Sequence, residues 1–245
     1  MQQTIICTKW GKRYPAKYAN VLWSMIKRNT QRPTRLVCYT DDTHGLDPEI
    51  EAYPMPTINL TERRKQSTWR KIALWGETLE GLSGDVLYID LDVVITSNID
   101  AFFDYKPEAA FCVIENWTQF GSGICNTSVY RFKVGAHSYL FDKVNTDPYK
   151  IIDSAYPNSQ TFISYEIQNK TFWPASWCQS FKHNLLPRWP LNLFRSATLP
   201  QETKVVCFTG HPDPDEALEG KWKAPWYKKI YKYTHPTPWI AEHWQ

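Results

Sequence analysis

Asp90-Leu91-Asp92 follows directly on the apolar run Val86-Leu87-Tyr88-Ile89. Side chains alternate along an extended chain, so both carboxylates are expected on one face, with Leu91 on the other. Two carboxylates this close repel each other unless a cation lies between them. A hard divalent ion held by one or two carboxylates completes its shell with water and substrate phosphate. The pattern therefore points to a metal–diphosphate site, with a pair of strand-end caps as the competing reading. A second copy, Asp213-Pro214-Asp215, lies in a Pro-rich stretch with no apolar run directly against it, and reads as a solvated turn.

Three further groups carry suitable chemistry. Thr8, Lys9, Trp10 and Tyr14 offer an aromatic face and hydrogen bonds for a nucleobase. Asp41 or Asp42 offers an acceptor for base or ribose, and Arg70 and Lys71 offer cations for a diphosphate. Taken singly, each reads as ordinary turn or surface charge. Their common placement beside an Asp-x-Asp strand is what favours a site.

The elements that must position these residues follow an alternating plan. Thr4 to Thr8 reads as a strand, and Pro15 to Arg28 as a helix whose stripe is Tyr18, Val21, Leu22, Met25 and Ile26. Arg35 to Tyr39 reads as a second strand, and residues 43–66 as loop plus a short strand. Ser67 is placed to cap a helix running to about Leu79, ahead of the strand that ends at Asp90. Strands over Ala109 to Glu115 and Cys125 to Phe132 are separated by the Gly121-Ser122-Gly123 turn. Helices are expected near 136–145 and 159–168, with a last strand from Lys204 to Phe208. This alternation predicts an α/β fold, a single Rossmann-like domain over 1–245 with a mostly parallel central sheet flanked by helices. Parallel sheets of this type bind ligands beyond the carboxyl ends of their strands, where Asp90 and Asp92 fall.

Composition narrows the class. The chain has 245 residues and a formal charge of +3, with bases scattered among acids, so no nucleic-acid partner is required. The six cysteines show neither CxxC nor zinc spacing and read as buried thiols of a reducing, cytoplasmic protein. The first residues are too short in apolar length for a signal peptide, and no later run suggests a membrane span. Seven of the twelve tryptophans lie from Trp173 onward, so the C-terminal third differs in character. The stretch Lys221 to Tyr233, dense in Lys, Trp and Tyr, reads either as a ledge over a bound substrate or as a packed surface helix.

An ordered set of segments resembles the glycosyltransferases of the A fold, close to small bacterial and viral relatives of the glycogenin-like and galactosyl-transferring group. The segments are Lys9-Trp10-Gly11 with Tyr14, Tyr39-Thr40-Asp41-Asp42, Trp69-Arg70-Lys71, Tyr88 to Val94, Asn126 to Phe132, Ser180-Phe181-Lys182, Phe208 to Pro212, and Trp239 to Trp244. The resemblance implies a nucleoside-diphosphate sugar donor, UDP-linked, with Mn²⁺ or Mg²⁺ bridging its diphosphate to Asp90 and Asp92. It implies transfer of a hexose, with retention, to a hydroxyl on a glycan, a lipid-linked acceptor or a protein. Residues 1–132 would then form the nucleotide- and metal-binding half, and 133–245 the acceptor half. Thr8, Lys9, Trp10, Tyr14, Asp41, Arg70, Lys71 and Leu91 would hold the donor, with Gly123, Asn126 and Ser128 lining the sugar pocket.

Two departures from the family pattern stand out. Thr209 occupies the place before Gly210 where relatives carry a metal-binding histidine, so the resemblance implies His211, two residues on, as the third ligand, with Thr209 or water as the alternative. Ser159-Gln160 replaces Asp-Gln, leaving Gln160 as the catalytic candidate beside Asp92. For inversion, a base would have to come from Glu115, Asp153 or Glu166. The rival readings are a haloacid-dehalogenase-like phosphohydrolase with Asp90 as nucleophile, and a sugar-binding module without chemistry.

Overall fold

The computed structural model describes residues 2–245. In chain order its strands are β1 (Gln3–Lys9), β2 (Thr34–Thr40), β3 (Glu51–Pro54), β4 (Asp85–Ile89), β5 (Val93–Ile95), β6 (Phe111–Glu115), β7 (Cys125–Lys133), β8 (Thr171–Phe172), β9 (Cys178–Ser180) and β10 (Val205–Cys207). The helices are α1 (Ala16–Arg28), α2 (Ala101–Asp104), α3 (Tyr139–Thr146), α4 (Ser159–Glu166), α5 (Pro214–Leu218) and α6 (Trp239–His243).

Seven strands form the main sheet in the order β3-β2-β1-β4-β7-β6-β8. Every pairing is parallel except the two made by β7. β1 is buried along its whole length, as a strand covered on both faces must be. Alternation sorts its residues into two cores. Ile5, Cys7, Leu36, Leu87 and Ile89 pack under α1 and the C-terminal region. Ile6, Val37, Tyr39, Val86 and Tyr88 pack against Trp69, Trp75, α3 and α4.

One expectation needs correction. The segment from Thr68 to Trp75 winds as 3₁₀ turns rather than an α-helix. Ile72, Ala73, Leu74 and Trp75 are all buried, and four consecutive positions cannot share one face of an α-helix. Past Asp92 the chain forms β5, which the sequence reading does not single out. It belongs to a separate sheet, β5-β10-β9, pairing antiparallel with β10. Asp90-Leu91-Asp92 is thus the bend by which the chain leaves one sheet for the other.

One buried cation ties the scaffold behind the site. Arg131 of β7 is 1% exposed, and its guanidinium donates to the carbonyls of Phe102 (2.7 Å), Tyr105 (2.9 Å) and Lys106 (2.7 Å) around the end of α2. Arg131→Met should strip these buried acceptors of their donor and cost about 3 kcal/mol of stability. The check is a lower urea midpoint with an unchanged m-value.

Candidate active site

The loop after β1, the bend at 90–92, the first residues of β7, the start of α4 and Thr209-Gly210 after β10 surround a cleft of ≈ 860 Å³. Asp90 and Asp92 are the only carboxylates among the described residues that line it. Each is anchored by a different sheet. The Asp90 amide donates to Ser128 O (2.8 Å) on β7, whereas Asp92 O accepts from the Phe208 amide (3.0 Å) beyond β10.

The side chains are fixed from opposite sides. Asp90 Oδ1 accepts from Tyr88 Oη at 2.7 Å and is in direct contact with the Lys71 ammonium. Asp92 Oδ2 accepts from Tyr14 Oη at 3.2 Å and from the Gly210 amide at 3.4 Å. Gly210 makes this turn at φ +81°, a conformation that L side chains rarely adopt. Burial, reinforced by the charge of Asp90, pushes the Asp92 carboxyl up to about 6. Two carboxylates lining one cleft, each costly to hold ionised beside the other, are a donor set that fits a divalent metal.

Among the donor residues expected from sequence, Thr8, Trp10, Tyr14, Lys71, Leu91, Asn126, Ser128 and Gln160 all line the cleft. Gln160 Oε1 accepts from the Thr127 amide (3.3 Å), which aims the side chain across the start of β7. Lys9, Asp41, Arg70, Gly123 and His211 are not part of the lining. Lys9 is buried and donates to Asp42 O (2.8 Å), bracing the loop after β2. Asp41 accepts from the Gly11 amide (3.2 Å), and Arg70 lies 5.6 Å from the Trp10 ring centroid, so both shape the aromatic loop. Gly11 takes φ +62° there. Gly123 sits in the turn before β7 at φ +76°.

His211 is not brought to Asp90 or Asp92. Its Nδ1 lies 2.8 Å from Glu216 Oε2 and 3.3 Å from Asp213 Oδ2, forming a separate cluster at the start of α5. Asp213 itself corrects the solvated-turn reading. It is buried, forms a capping box with Glu216, and accepts from Tyr14 Oη (3.2 Å) and Arg13 (3.3 Å). Asp213 thereby joins the Asp92 network through Tyr14, whose phenol is kept protonated by burial and by both carboxylates. Proline at the first position of α5 was the available signal, since Asp-Pro-x-Glu is a helix start.

None of the three carboxylates considered as a base lines the cleft. Glu115 accepts from the Gly121 amide (2.7 Å), Asp153 faces Arg64 (3.8 Å), and Glu166 pairs with Lys143 (2.5 Å). Residues missed from sequence include Trp117, which reaches the cleft from a segment without a motif, and Arg13, Asn158 and His183, which stand beside or within motif segments. A second groove of ≈ 970 Å³ lies beside α5, but its acids Glu216 and Glu219 are already paired with Lys223 and Lys221.

No family model and no curated protein matches the chain by sequence. Solved structures do match by fold. The galactosyltransferase LgtC, solved with donor and acceptor sugar analogs, superposes with a TM-score of 0.58 at 12% identity over 86% of this chain and 89% of its own. The glycosyltransferase GlyE of Streptococcus pneumoniae TIGR4 gives 0.60 at 10% identity over 87% of this chain and 56% of GlyE. Mouse xyloside xylosyltransferase 1 gives 0.52 at 10% identity, covering 85% and 98%. At these identities the likeness is one of fold.

Proposed function

We propose, for a chain that adopts the glycosyltransferase-A fold, that this protein is a metal-dependent glycosyltransferase moving a hexose from a nucleoside-diphosphate sugar, UDP-linked, to a hydroxyl acceptor. The observation that carries the reading is the pair Asp90 and Asp92, sole carboxylates of a polar, aromatic cleft, with Lys71 against one of them. Asp90 and Asp92 would hold Mn²⁺ or Mg²⁺, with the remaining positions filled by diphosphate oxygens and water. When bound, the metal supplies Lewis-acid stabilisation of the departing nucleoside diphosphate.

The protein's own groups have distinct tasks. Trp10 and Tyr14 present flat faces to the base, while Asp41 and Arg70 hold that loop in shape. Lys71 and Arg13 offset charge on the diphosphate as the glycosidic bond breaks. Asn126, Ser128 and Gln160 offer hydrogen bonds to sugar hydroxyls and orient the anomeric carbon, and Gly123 sets the turn that delivers them. One solved form of LgtC is described as an active-site mutant with glutamine replaced by glutamate, which accords with a role for Gln160. The absence of a third carboxylate among the described lining residues favours retention, because inversion requires a base at the acceptor. With His211 held by Glu216 and Asp213, Thr209, which lines the cleft, or water would supply the third position.

The phosphohydrolase reading would need a further acidic cluster beside Asp90 and Asp92, and no other carboxylate among the described residues lines the cleft. The test is a thermal-shift screen of nucleotide sugars with and without Mn²⁺. A matching donor at about a hundred times its Kd adds roughly 2.7 kcal/mol and raises the melting temperature only when metal is present. A panel that produces no metal-dependent shift contradicts the proposal.

A further inference from the structure

Most of the exposed large apolar side chains of this protein lie in two cation-bearing segments, with Phe120, Tyr139, Tyr149 and Tyr165 elsewhere. Phe194 is 76% exposed, Trp226 83% and Ile230 67%, with Trp189, Leu191, Tyr227 and Tyr231 also open to water. They come from two segments, 188–195 and 226–233, which are fastened together. The buried Asn192 amide donates to the carbonyls of Tyr231 (3.2 Å) and Tyr233 (2.9 Å), and His235 Nε2 lies 2.8 Å from Leu193 O. Large apolar side chains scattered singly over a surface need no explanation, but a contiguous group does.

Charge within these two segments is one-sided, although Lys229 and Lys232 also border the groove that Asp215, Glu216 and Glu219 line. No acid occurs between Ile167 and Gln201, nor between Gly220 and Ala241. Arg188, Arg195, Lys228, Lys229 and Lys232 are therefore unopposed within their own segments, whereas Lys221 and Lys223 next door are paired with glutamates. None of Trp189, Phe194, Trp226 or Ile230 lines the cleft, so the donor reading does not account for them.

We propose that this face docks the protein on an anionic lipid surface, with Trp226, Ile230 and Phe194 entering the headgroup region and the five cations contacting lipid phosphates. An acidic polymer would satisfy the cations but offers nothing to exposed Leu191, Phe194 and Ile230, which gain only by entering an apolar phase. Tryptophan and tyrosine favour such interfaces because one end of the ring system is apolar and the other polar. No helix among the described residues is long and apolar enough to cross a membrane, so attachment would be peripheral. This inference goes beyond the donor chemistry and stands independently of it.

The test is sedimentation of the full chain with vesicles of phosphatidylcholine alone or mixed with phosphatidylglycerol. Binding is expected to the mixed vesicles, to weaken as salt is raised, and to be at least about tenfold weaker on phosphatidylcholine alone. Lys228→Glu with Lys229→Glu, and separately Trp226→Ser with Ile230→Ser, should each lose about tenfold or more while melting at the wild-type temperature. In the wild-type chain, bromine-labelled acyl chains should quench part of the tryptophan emission, a measurement that needs no variant to fold. Absence of binding to mixed vesicles, or no quenching, overturns the proposal. So does full retention of the Trp226→Ser, Ile230→Ser variant, which would reduce the contact to charge alone, as for any acidic polymer.

Discussion

Asp92→Asn is expected to abolish metal-dependent donor turnover and, in the same protein, to raise the stability of the ligand-free state above pH 6. The two effects have one cause. Asp92 is buried beside Asp90, and its carboxyl is pushed from an ordinary 3.8 to about 6. Between those values the native protein holds a proton that the unfolded chain has released. The group's contribution to stability is therefore fully present below pH 4 and is lost as pH rises toward 6. Asparagine carries no charge to bury, so above pH 6 the variant should be more stable by about 1–3 kcal/mol, and below pH 4 the difference should vanish. Turnover should fall by about a thousandfold, the scale of losing one preorganised electrostatic partner at a reacting centre. Urea unfolding at pH 4 and pH 7.5, with single-turnover kinetics, reads both. A variant that is destabilised at neutral pH, or that keeps its metal-dependent rate, contradicts the assignment.

Lys71→Met is expected to do the opposite to stability while also lowering activity. The Lys71 ammonium contacts Asp90 and is itself mostly buried. Its charge also favours ionised Asp92, opposing the effects of burial and of Asp90. Removing it leaves two carboxylates facing each other with no resident cation, a loss of about 2–4 kcal/mol at neutral pH. Added Mn²⁺ should stabilise this variant more than it stabilises the wild type, because the ion then replaces the positive charge that Lys71 held against Asp90. Turnover should drop by about a hundredfold in kcat, since Lys71 acts on charge that develops as the diphosphate departs. An effect confined to KM would instead assign Lys71 to ground-state donor binding.

Much of this was legible in the chain because the sequence pattern and the packing agree. The apolar runs Ile5 to Cys7 in β1 and Val86 to Ile89 in β4 marked strands buried on both faces, and the stripe of α1 marked the helix above them. Asp90 and Asp92 stood out because carboxylates at the end of such a strand have no packing role. What stayed hidden depends on contacts distant in sequence. Val93 to Ile95 looks like more of β4, and only its partner β10, over a hundred residues later, draws it into a second sheet. The run from Ile72 to Trp75 suits a helix by propensity, but complete burial tightens it to 3₁₀ turns. Asp213 looked solvated because its partners Arg13 and Tyr14 are two hundred residues away. His211 was expected at the carboxylates because it stands two residues past Thr209, where relatives carry a histidine, yet Glu216 of α5 holds its imidazole instead.

The central claim, that Asp90 and Asp92 hold a metal on which a nucleotide-sugar diphosphate departs, is tested most directly by one assay. Release of nucleoside diphosphate from a donor panel is followed with Mn²⁺, with Mn²⁺ removed by chelation, and with Asp92→Asn. The account predicts nucleoside diphosphate and sugar as products only for the wild type with metal, and none in the other two cases. Equal release without metal, or inorganic phosphate as the product with a phosphorylated Asp90, would contradict it.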